Sequence, residues 1–151
     1  MQIRQRLAAL GEDSISVCVI SISEVEYGLQ ISPAIDVARQ AAVRQAMLQY
    51  KIWDIDRHTA TYHAGLRAGL FTKYGTPKQK RGGFRERQPE ELLDRTTARE
   101  LGIQENDLWI VSVAVQYDLR FITMDRMTHI LDVANEVYAY DRAERWAPPF
   151  S

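Results

Sequence analysis

The sequence has a single cysteine, Cys18, and no long apolar run. With one cysteine no intrachain disulfide can form, so Cys18 is expected to be a small buried side chain in a reducing compartment. No stretch approaches the roughly 18 consecutive apolar residues of a membrane span. Residues 1–11 also lack the apolar segment that a secretory signal needs. These absences predict a cytoplasmic protein without a membrane partner.

The sequence also has no excess of charge of either sign, because 19 Lys and Arg stand against 20 Asp and Glu. Such a balance does not by itself indicate nucleic-acid binding, although the charges are unevenly distributed. The chain has 151 residues, of which 46% are hydrophobic and 26% charged. These values predict one globular domain over residues 1–151. A chain of this length buries roughly 70% of its unfolded surface and requires no structural metal.

Apolar β-branched runs alternate with segments of helical periodicity along the chain. Strands are predicted at 16–20, 51–55, 120–123 and 137–140. Helices are predicted at 2–10, from about 21 to 30, at 33–50, 57–74 and 89–101, from 106 or 107 onward, and after 124. The second of these begins at a helix capping box that Ser21 and Glu24 would form. This order predicts a three-layer α/β/α domain with one mostly parallel central sheet. In the long helix the stripe Tyr62, Leu66, Leu70 and Phe71 is expected to face the core.

A basic segment at 72–88 interrupts this pattern and overlaps an insertion at about 76–101. Its cations, against Glu86 alone, are Lys73, Lys78, Lys80, Arg81, Arg85 and Arg87. Three glycines and the lack of periodicity predict a mobile loop. The last five of these cations are candidate contacts to an RNA backbone. The alternative is a solvated surface loop without a ligand, which is a common use of such segments.

Three acids fall near the positions where strands are predicted to end. Glu24 follows the strand 16–20, Asp125 follows the strand 120–123, and Asp107 opens the apolar helix between them. Parallel strands bring such residues to one edge of a sheet, where ligands bind. Clustered carboxylates repel one another unless a cation joins them, and Mg²⁺ or Mn²⁺ is the cation that prefers oxygen ligands.

Each acid also has a purely local interpretation. Glu24 is spaced as the partner of Ser21 in a helix capping box. Asp107 is an acid in a first helical turn, which the helix dipole stabilises, and Asp125 is a common type of turn residue. The sequence alone leaves both interpretations open for each acid.

Two segments resemble the signatures of PIN-domain ribonucleases, specifically VapC-type toxins of toxin–antitoxin pairs. "ISISEVEYGL", residues 20–29, resembles their S-x-x-x-x-E-L-x-Y-G stretch. "GIQENDLWIVSVAVQYDLRFITMD", residues 102–125, is similar to their second signature, which ends in Thr-x-Asp. The resemblance implies an endoribonuclease that cleaves single-stranded RNA with Mg²⁺ or Mn²⁺, binds an antitoxin and forms a homodimer. It implies that Glu24, Asp107 and Asp125 are metal-site acids and that Thr123 is a supporting hydroxyl.

The sequence departs from that family at its start. The family begins with a strand ending in Asp, whereas this chain matches it only from the following helix onward, so the chain is expected to be N-terminally incomplete. A site with three acids instead of four is expected to give weak nuclease activity or none. The alternative function is a non-catalytic PIN-like module that binds RNA or a protein partner. A receiver-like signalling domain is disfavoured, because the chain has neither two adjacent Asp residues nor a lysine after Lys80.

Overall fold

The computed structural model describes residues 3–10, 15–32, 36–75, 88–94, 97 and 99–146. The chain forms two compact units, which we call the N-terminal unit (Met1–Ile55 with Trp146–Ser151) and the C-terminal unit (Asp56–Arg145). The N-terminal unit contains α1 (Ile3–Leu10), β1 (Ser16–Cys18), α2 (Val19–Gln30), α3 (Val37–Met47) and β2 (Lys51–Trp53). The C-terminal unit contains α4 (Arg57–Tyr74), a 3₁₀ turn (Pro89–Glu91), α5 (Glu105–Gln116), β3 (Phe121–Thr123), α6 (Thr128–Tyr138) and β4 (Ala143–Arg145).

Strands β1 and β2 pair in parallel, with Ser16 opposite Lys51 and Cys18 opposite Trp53. The Trp53 indole Nε1 donates to Ser16 Oγ at 2.9 Å, and the Lys51 ammonium lies 3.7 Å from the Trp53 ring centroid. The first contact joins side chains of the two strands in addition to the backbone ladder, whereas the second lies within β2. Burial raises the pKa of the Cys18 thiol, in agreement with its predicted role as a small buried side chain.

Helices α2 and α3 are joined by a bidentate ion pair between Arg44 and Glu26, with N–O distances of 2.7 and 2.8 Å. This pair lowers the pKa of Glu26 to about 2. The sequence pattern of the predicted helix 33–50 places Val37, Ala41, Met47 and Leu48 on its buried side, and this is wrong for Val37 and Leu48, because their exposed fractions are 70% and 69%. Tyr27 and Ile31 are exposed to a similar degree, so this unit presents large apolar side chains to solvent.

The core of the C-terminal unit lies among α4, α5 and α6. Six of its residues have no exposed surface, namely Leu66, Leu70, Leu108, Val111, Val133 and Ala134. Tyr62 and Phe71 pack against this cluster, which confirms the predicted core stripe of α4. Helix α5 has an apolar sequence because it also lies in this core, where six of its twelve residues are buried.

Asp56, a residue type that is preferred at helix N-caps, caps α4. Its carboxylate accepts from the backbone N–H groups of His58 and Thr59 at 2.7 and 2.9 Å, and the Thr59 hydroxyl accepts from the Asp56 N–H. The Gln116 amide, at the end of α5, donates to the same carboxylate. The Thr59 N–H is the main cause that lowers the pKa of Asp56, and burial opposes the lowering.

The predicted helix at 89–101 is wrong. Pro89 does begin a turn, but that turn is a three-residue 3₁₀ helix, and Leu93 then pairs with Glu100 in an antiparallel bridge. The Asp94 carboxylate accepts from the Thr97 N–H at 2.7 Å, a local bond of the kind that competes with helix formation. This conformation allows Leu92, only 1% exposed, to join the core.

The prediction of a strand at 137–140 is also wrong. Val137 and Tyr138 complete α6, and Ala139 ends it in the left-handed conformation with a φ of 53°. The last strand is β4, which pairs in parallel with β3 so that Thr123 lies opposite Arg145. Parallel pairing is therefore confirmed, whereas the single four-stranded sheet is wrong, because the described strands form two two-stranded sheets. The prediction of a single domain stays a prediction.

Gly69 of α4 lies against α6 at a separation that leaves no room for a side chain. A Cβ built on Gly69 would lie 2.5 Å from Cγ1 of Val133, which is fully buried. Gly65, one turn earlier, is closed off in the same way by the Tyr138 side chain. The two glycines therefore set how closely α4 and α6 approach.

We predict that Gly69→Ala destabilises the protein by about 1–3 kcal/mol, because a stiff, buried valine has to move. Gly28→Ala is the matched control, since a Cβ at that helical position meets no atom within 4 Å. It should leave stability unchanged or raise it by up to about 1 kcal/mol. Urea unfolding of the three proteins measures both effects. Equal stability of Gly69→Ala and the wild type would contradict the close approach of α4 and α6.

We also predict that Asp56 makes stability depend on pH in acid. A carboxyl whose pKa is lower in the folded state stabilises above its unfolded value of about 3.9, and this contribution is lost as the pH falls through the folded value. Asn caps helices about as well but does not titrate, so Asp56→Asn should unfold with a flatter pH dependence between about pH 5 and 2. Asp56→Ala should be less stable than wild type at neutral pH and approach it in acid. Thermal unfolding at several pH values tests both variants. If the stability of wild type and of Asp56→Asn changed with pH in parallel, the prediction would be contradicted.

Candidate active site

A pocket of about 270 Å³ opens in the C-terminal unit where the chain enters α5 and α6. Its walls are the segment before α5, the first turn of α5, the turn after β3 and the first turn of α6. The lining residues are Leu101, Gly102, Ile103, Gln104, Asp107, Asp125, Arg126, Met127, His129 and Ile130. Two of the three acids that the sequence singles out, Asp107 and Asp125, therefore line one pocket.

Asp107 is placed by the first turn of α5. The helix begins at Glu105, and its N-cap residue Gln104 makes no side-chain capping bond. The N–H groups of a first helical turn lack partners within the helix, so this end of α5 carries partial positive charge. A carboxylate at position 107 is electrostatically favoured there. The next residue, Leu108, is fully buried and fixes the direction of the turn.

Asp125 is placed by the turn that follows β3. The Thr123 hydroxyl, on a side chain only 8% exposed, accepts from the Asp125 N–H at 3.0 Å. From the neighbouring strand β4, Arg145 Nε donates to the Met124 carbonyl at 3.3 Å. The turn is therefore held by hydrogen bonds from both strands of the sheet. The geometry gives the Thr-x-Asp motif a physical basis, since its hydroxyl holds the backbone of its acid.

His63 and Glu105 anchor the first turn of α5 to α4, a link that was not predicted from the sequence. His63 Nε2 and Glu105 Oε1 are 2.6 Å apart. The His63 ring also stacks on Trp109, with the ring centroids 3.8 Å apart and the planes 10° from parallel. Because Asp107 lies between Glu105 and Trp109 on the same helix, this anchor fixes the position of Asp107. Glu105 and Trp109 are four residues apart, a spacing that places both on one face of a helix. The sequence could not indicate their partner His63, because it lies 42 positions from Glu105.

Arg126 and His129 are pocket residues that were likewise not predicted from the sequence. Arg126 directly follows Asp125, and His129 lies in the first turn of α6. His129 Nδ1 is 3.1 Å from the Tyr74 hydroxyl, and the two rings meet edge to face with centroids 5.0 Å apart. Because the histidines of the chain lack the spacing of metal ligands, no sequence motif singles out His129.

Glu24 lies on α2 in the N-terminal unit, where it is exposed. The capping-box interpretation of Ser21 and Glu24 is wrong. Helix α2 begins at Val19 directly after β1, its N-cap is Cys18, and no side chain caps it. Glu24 therefore lies in the second turn, and its role in a metal site stays a prediction. The basic candidates Lys78, Lys80, Arg81, Arg85 and Arg87 lie outside the described residues.

The pocket's donors suit a hard cation that keeps part of its water shell. Within the described part of the C-terminal unit, no three His, Cys, Asp or Glu side chains group closely enough to hold a metal ion. Mg²⁺ commonly binds through one or two carboxylates, with water and substrate phosphates completing its shell. The pair Asp107 and Asp125 fits that mode of binding. It does not resemble the closed four-ligand site of a structural zinc.

We predict that Thr123→Val loosens the turn that carries Asp125. Valine has a similar volume but cannot accept the hydrogen bond from the Asp125 N–H. Hydrogen exchange at that amide should be faster in Thr123→Val and close to wild type in Thr123→Ser, which keeps the hydroxyl. Amides of the α5 core, such as that of Val111, serve as an internal control. Equal exchange at Asp125 in the Val and Ser variants would show that the hydroxyl does not hold the turn.

Comparison with solved structures identifies a similar fold. A chain in the crystal structure of VapBC2 from Rickettsia felis bound to a DNA fragment from their promoter superposes with a TM-score of 0.64 and 19% identity. The match covers 95% of this chain and 84% of that one. No protein-family model and no curated protein matches the sequence. In the described residues no helix is long and apolar enough to cross a membrane. The structural match confirms the predicted PIN-like α/β/α fold class, and at this identity it shows the fold alone.

Proposed function

We propose that this protein is a metal-dependent endoribonuclease that cleaves single-stranded RNA and acts as the toxin of a toxin–antitoxin pair. The observation that carries the proposal is that Asp107 and Asp125 line one pocket. The two acids are 18 positions apart in the sequence and are brought together by the N-terminus of α5 and the end of β3. A fold like that of a VapBC2 chain is consistent with this use of the pocket.

Mg²⁺ or Mn²⁺ is the cofactor that we assign to the pocket. Asp107 and Asp125 would hold it, with Glu24 as the third acid and Thr123 as the hydroxyl that fixes the Asp125 turn. When bound, a divalent ion of this kind activates water and offsets the charge of a phosphate. The chain's own residues position the ion, and the His63–Glu105 anchor keeps the first turn of α5 in place.

The electrostatics of the pocket suit a phosphodiester substrate. The pocket contains two carboxylates, which attract a cation, and one guanidinium, which attracts an anion. The N-termini of α5 and α6 also meet at its wall, and helix N-termini favour anions. A site that favours both a divalent cation and an anion suits RNA bound through a metal. The basic residues Lys78, Lys80, Arg81, Arg85 and Arg87 are proposed to contact the RNA backbone further along the strand.

The proposed protein partners are a cognate antitoxin and a second copy of the chain. The N-terminal unit exposes large apolar side chains, of which Val37, Leu48, Tyr27 and Ile31 are each more than 60% exposed. Exposed apolar surface of this kind is typical of protein–protein contacts when it is contiguous. It supports a protein partner for this unit and does not distinguish the antitoxin from a homodimer.

The second candidate function is a non-catalytic PIN-like module that binds RNA or a protein. It is favoured by one observation, namely that the pocket has two carboxylates and that, within the described part of the C-terminal unit, no three metal-ligating side chains group closely enough to hold an ion. Such a module would bind RNA or its partner without cleaving RNA. It would also bind Mn²⁺ no more tightly than a variant without these acids.

The test is RNA cleavage and Mn²⁺ binding by matched single-residue variants. Wild type should cleave a labelled single-stranded RNA slowly in Mg²⁺ or Mn²⁺ and not in EDTA. Asp107→Asn and Asp125→Asn keep the side-chain shape but remove a charge, so each should lower the rate by about 10²-fold, since misplacing the reacting groups costs that much. Both should also weaken Mn²⁺ binding measured by calorimetry. Glu24→Gln tests the third acid in the same assays.

Asp132→Asn is the control, because it removes an exposed carboxylate of α6 that does not line the pocket. It should cleave RNA and bind Mn²⁺ as wild type does. If wild type neither cleaves RNA nor binds Mn²⁺ more tightly than Asp107→Asn, the enzyme proposal is wrong. RNA or partner binding in that case would favour the non-catalytic module.

A further inference from the structure

Arg126 places a positive charge in a pocket that is otherwise suited to a cation. It lies between Asp125 and the buried Met127, and it lines the same pocket as Asp107. A guanidinium that shares a pocket with two carboxylates would be expected to form an ion pair with one of them. Among the residues that the structure describes, however, no side chain pairs with or hydrogen-bonds to Arg126.

Three other arginines of the same unit, which lie near β3 and β4, differ from Arg126 because they have partners. Arg120 pairs with Glu144, Arg142 pairs with Asp118, and Arg145 donates to the Met124 carbonyl. These three are also exposed and lie on strands or turns near β3 and β4. Arg126 alone of the four leaves its five N–H donors available within the described structure, although two carboxylates line the same pocket.

A cation bound by Asp107 and Asp125 would repel the Arg126 guanidinium. Placing an anion between the two relieves that repulsion, because the anion attracts both. A phosphate has oxygens enough to face a metal ion on one side and a guanidinium on the other. The N-terminus of α6 follows directly after Arg126 and favours the same charge.

His129 lines the same pocket, and a contact with Tyr74 holds its ring. His129 Nδ1 lies 3.1 Å from the Tyr74 hydroxyl, which donates to Nδ1 when the imidazole is in the Nε2-protonated tautomer. A neutral imidazole that accepts at Nδ1 carries its proton on Nε2, which makes Nε2 a donor. Tyr74 is the last residue of α4, so this contact also joins the pocket wall to the start of the basic segment.

We propose that Arg126 binds a phosphate of the RNA strand in this pocket, and that His129, positioned by Tyr74, donates a second hydrogen bond to it. The inference rests on the proposed nuclease function, and it assigns the substrate contacts that the acids cannot make. Arg126 and His129 are binding residues in this proposal, and Tyr74 is a positioning residue.

The experiment measures binding of a labelled single-stranded RNA in EDTA, where neither cleavage nor metal contributes. Arg126→Gln should weaken RNA binding about tenfold, the loss expected for a hydrogen-bonded charge pair. The RNA affinity of Arg126→Lys should lie between those of wild type and Arg126→Gln, because lysine keeps the charge but lacks the planar guanidinium with its parallel N–H donors. Arg120→Gln is the control, since it removes the same charge from an exposed arginine that does not line this pocket, and it should change binding less than twofold.

Two further readouts separate a binding role from a structural one. Arg126→Gln should bind Mn²⁺ at least as tightly as wild type, because a repelling charge has been removed. His129→Ala should weaken RNA binding, whereas His129→Gln, whose amide can donate from near the Nε2 position, should retain most of it. Tyr74→Phe should weaken RNA binding to the extent that His129→Ala does, while Mn²⁺ binding stays unchanged.

Equal RNA binding by Arg126→Gln and Arg120→Gln would overturn the inference. Loss of Mn²⁺ binding in Arg126→Gln would overturn it too, since it would show that Arg126 maintains the turn of Asp125. A failure of the nuclease proposal is recognised separately, by the absence of cleavage and of any effect of Asp125→Asn on Mn²⁺ binding. The RNA-binding comparison in EDTA still decides the role of Arg126 in that case.

Discussion

The burial of α5 is the constraint on which the C-terminal unit depends. This helix has apolar residues around most of its circumference, so it is stable only when α4 and α6 cover it. Covering it requires that α4 and α6 approach closely, and Gly65 and Gly69 permit that approach. The position of the N-terminus of α5 is then fixed in two ways, by Leu108 in the core and by the His63–Glu105 contact. The location of Asp107 follows from core packing together with this polar contact.

Asp125 reaches the same pocket by a different physical route. It lies on a turn, which the core does not hold directly, and so its position depends on hydrogen bonds from Thr123 and Arg145. The parallel register of β3 and β4 brings those two residues side by side. One acid of the pocket is therefore fixed by apolar packing and the other by polar contacts at the end of a sheet. Changes to the core and changes to the sheet should affect the two acids independently.

Much of this arrangement could be predicted from the sequence, because it depends on local patterns. The capped start of α4, the apolar helix α5 and the Thr-x-Asp turn each have a signature within about a dozen residues. The errors arose where tertiary contacts overrode such patterns. The segment 89–101 has good helical composition, but burying Leu92 and forming the Asp94–Thr97 bond favour a turn instead. The run at 137–140 has strand composition, yet its first two residues extend a helix that packs on α4.

The candidate site shows a second limit of sequence patterns. Asp107 and Asp125 could be recognised in the sequence because they fall at fixed positions of one motif, beside a predicted helix start and a predicted strand end. Arg126 and His129 gave no such signal, since an arginine beside an aspartate and a lone histidine are common on any surface. Arg126 is significant because the described residues contain no ion pair between it and a carboxylate, although such a pair is expected. His129 is significant because it contacts Tyr74, which the sequence did not predict. A pocket lined by two carboxylates, and by a guanidinium that pairs with neither of them in the described part of the chain, suits a ligand that carries charges of both signs. A phosphate with its bound metal ion is such a ligand, and this complementarity connects the two acids of the motif to the two residues that the motif does not contain.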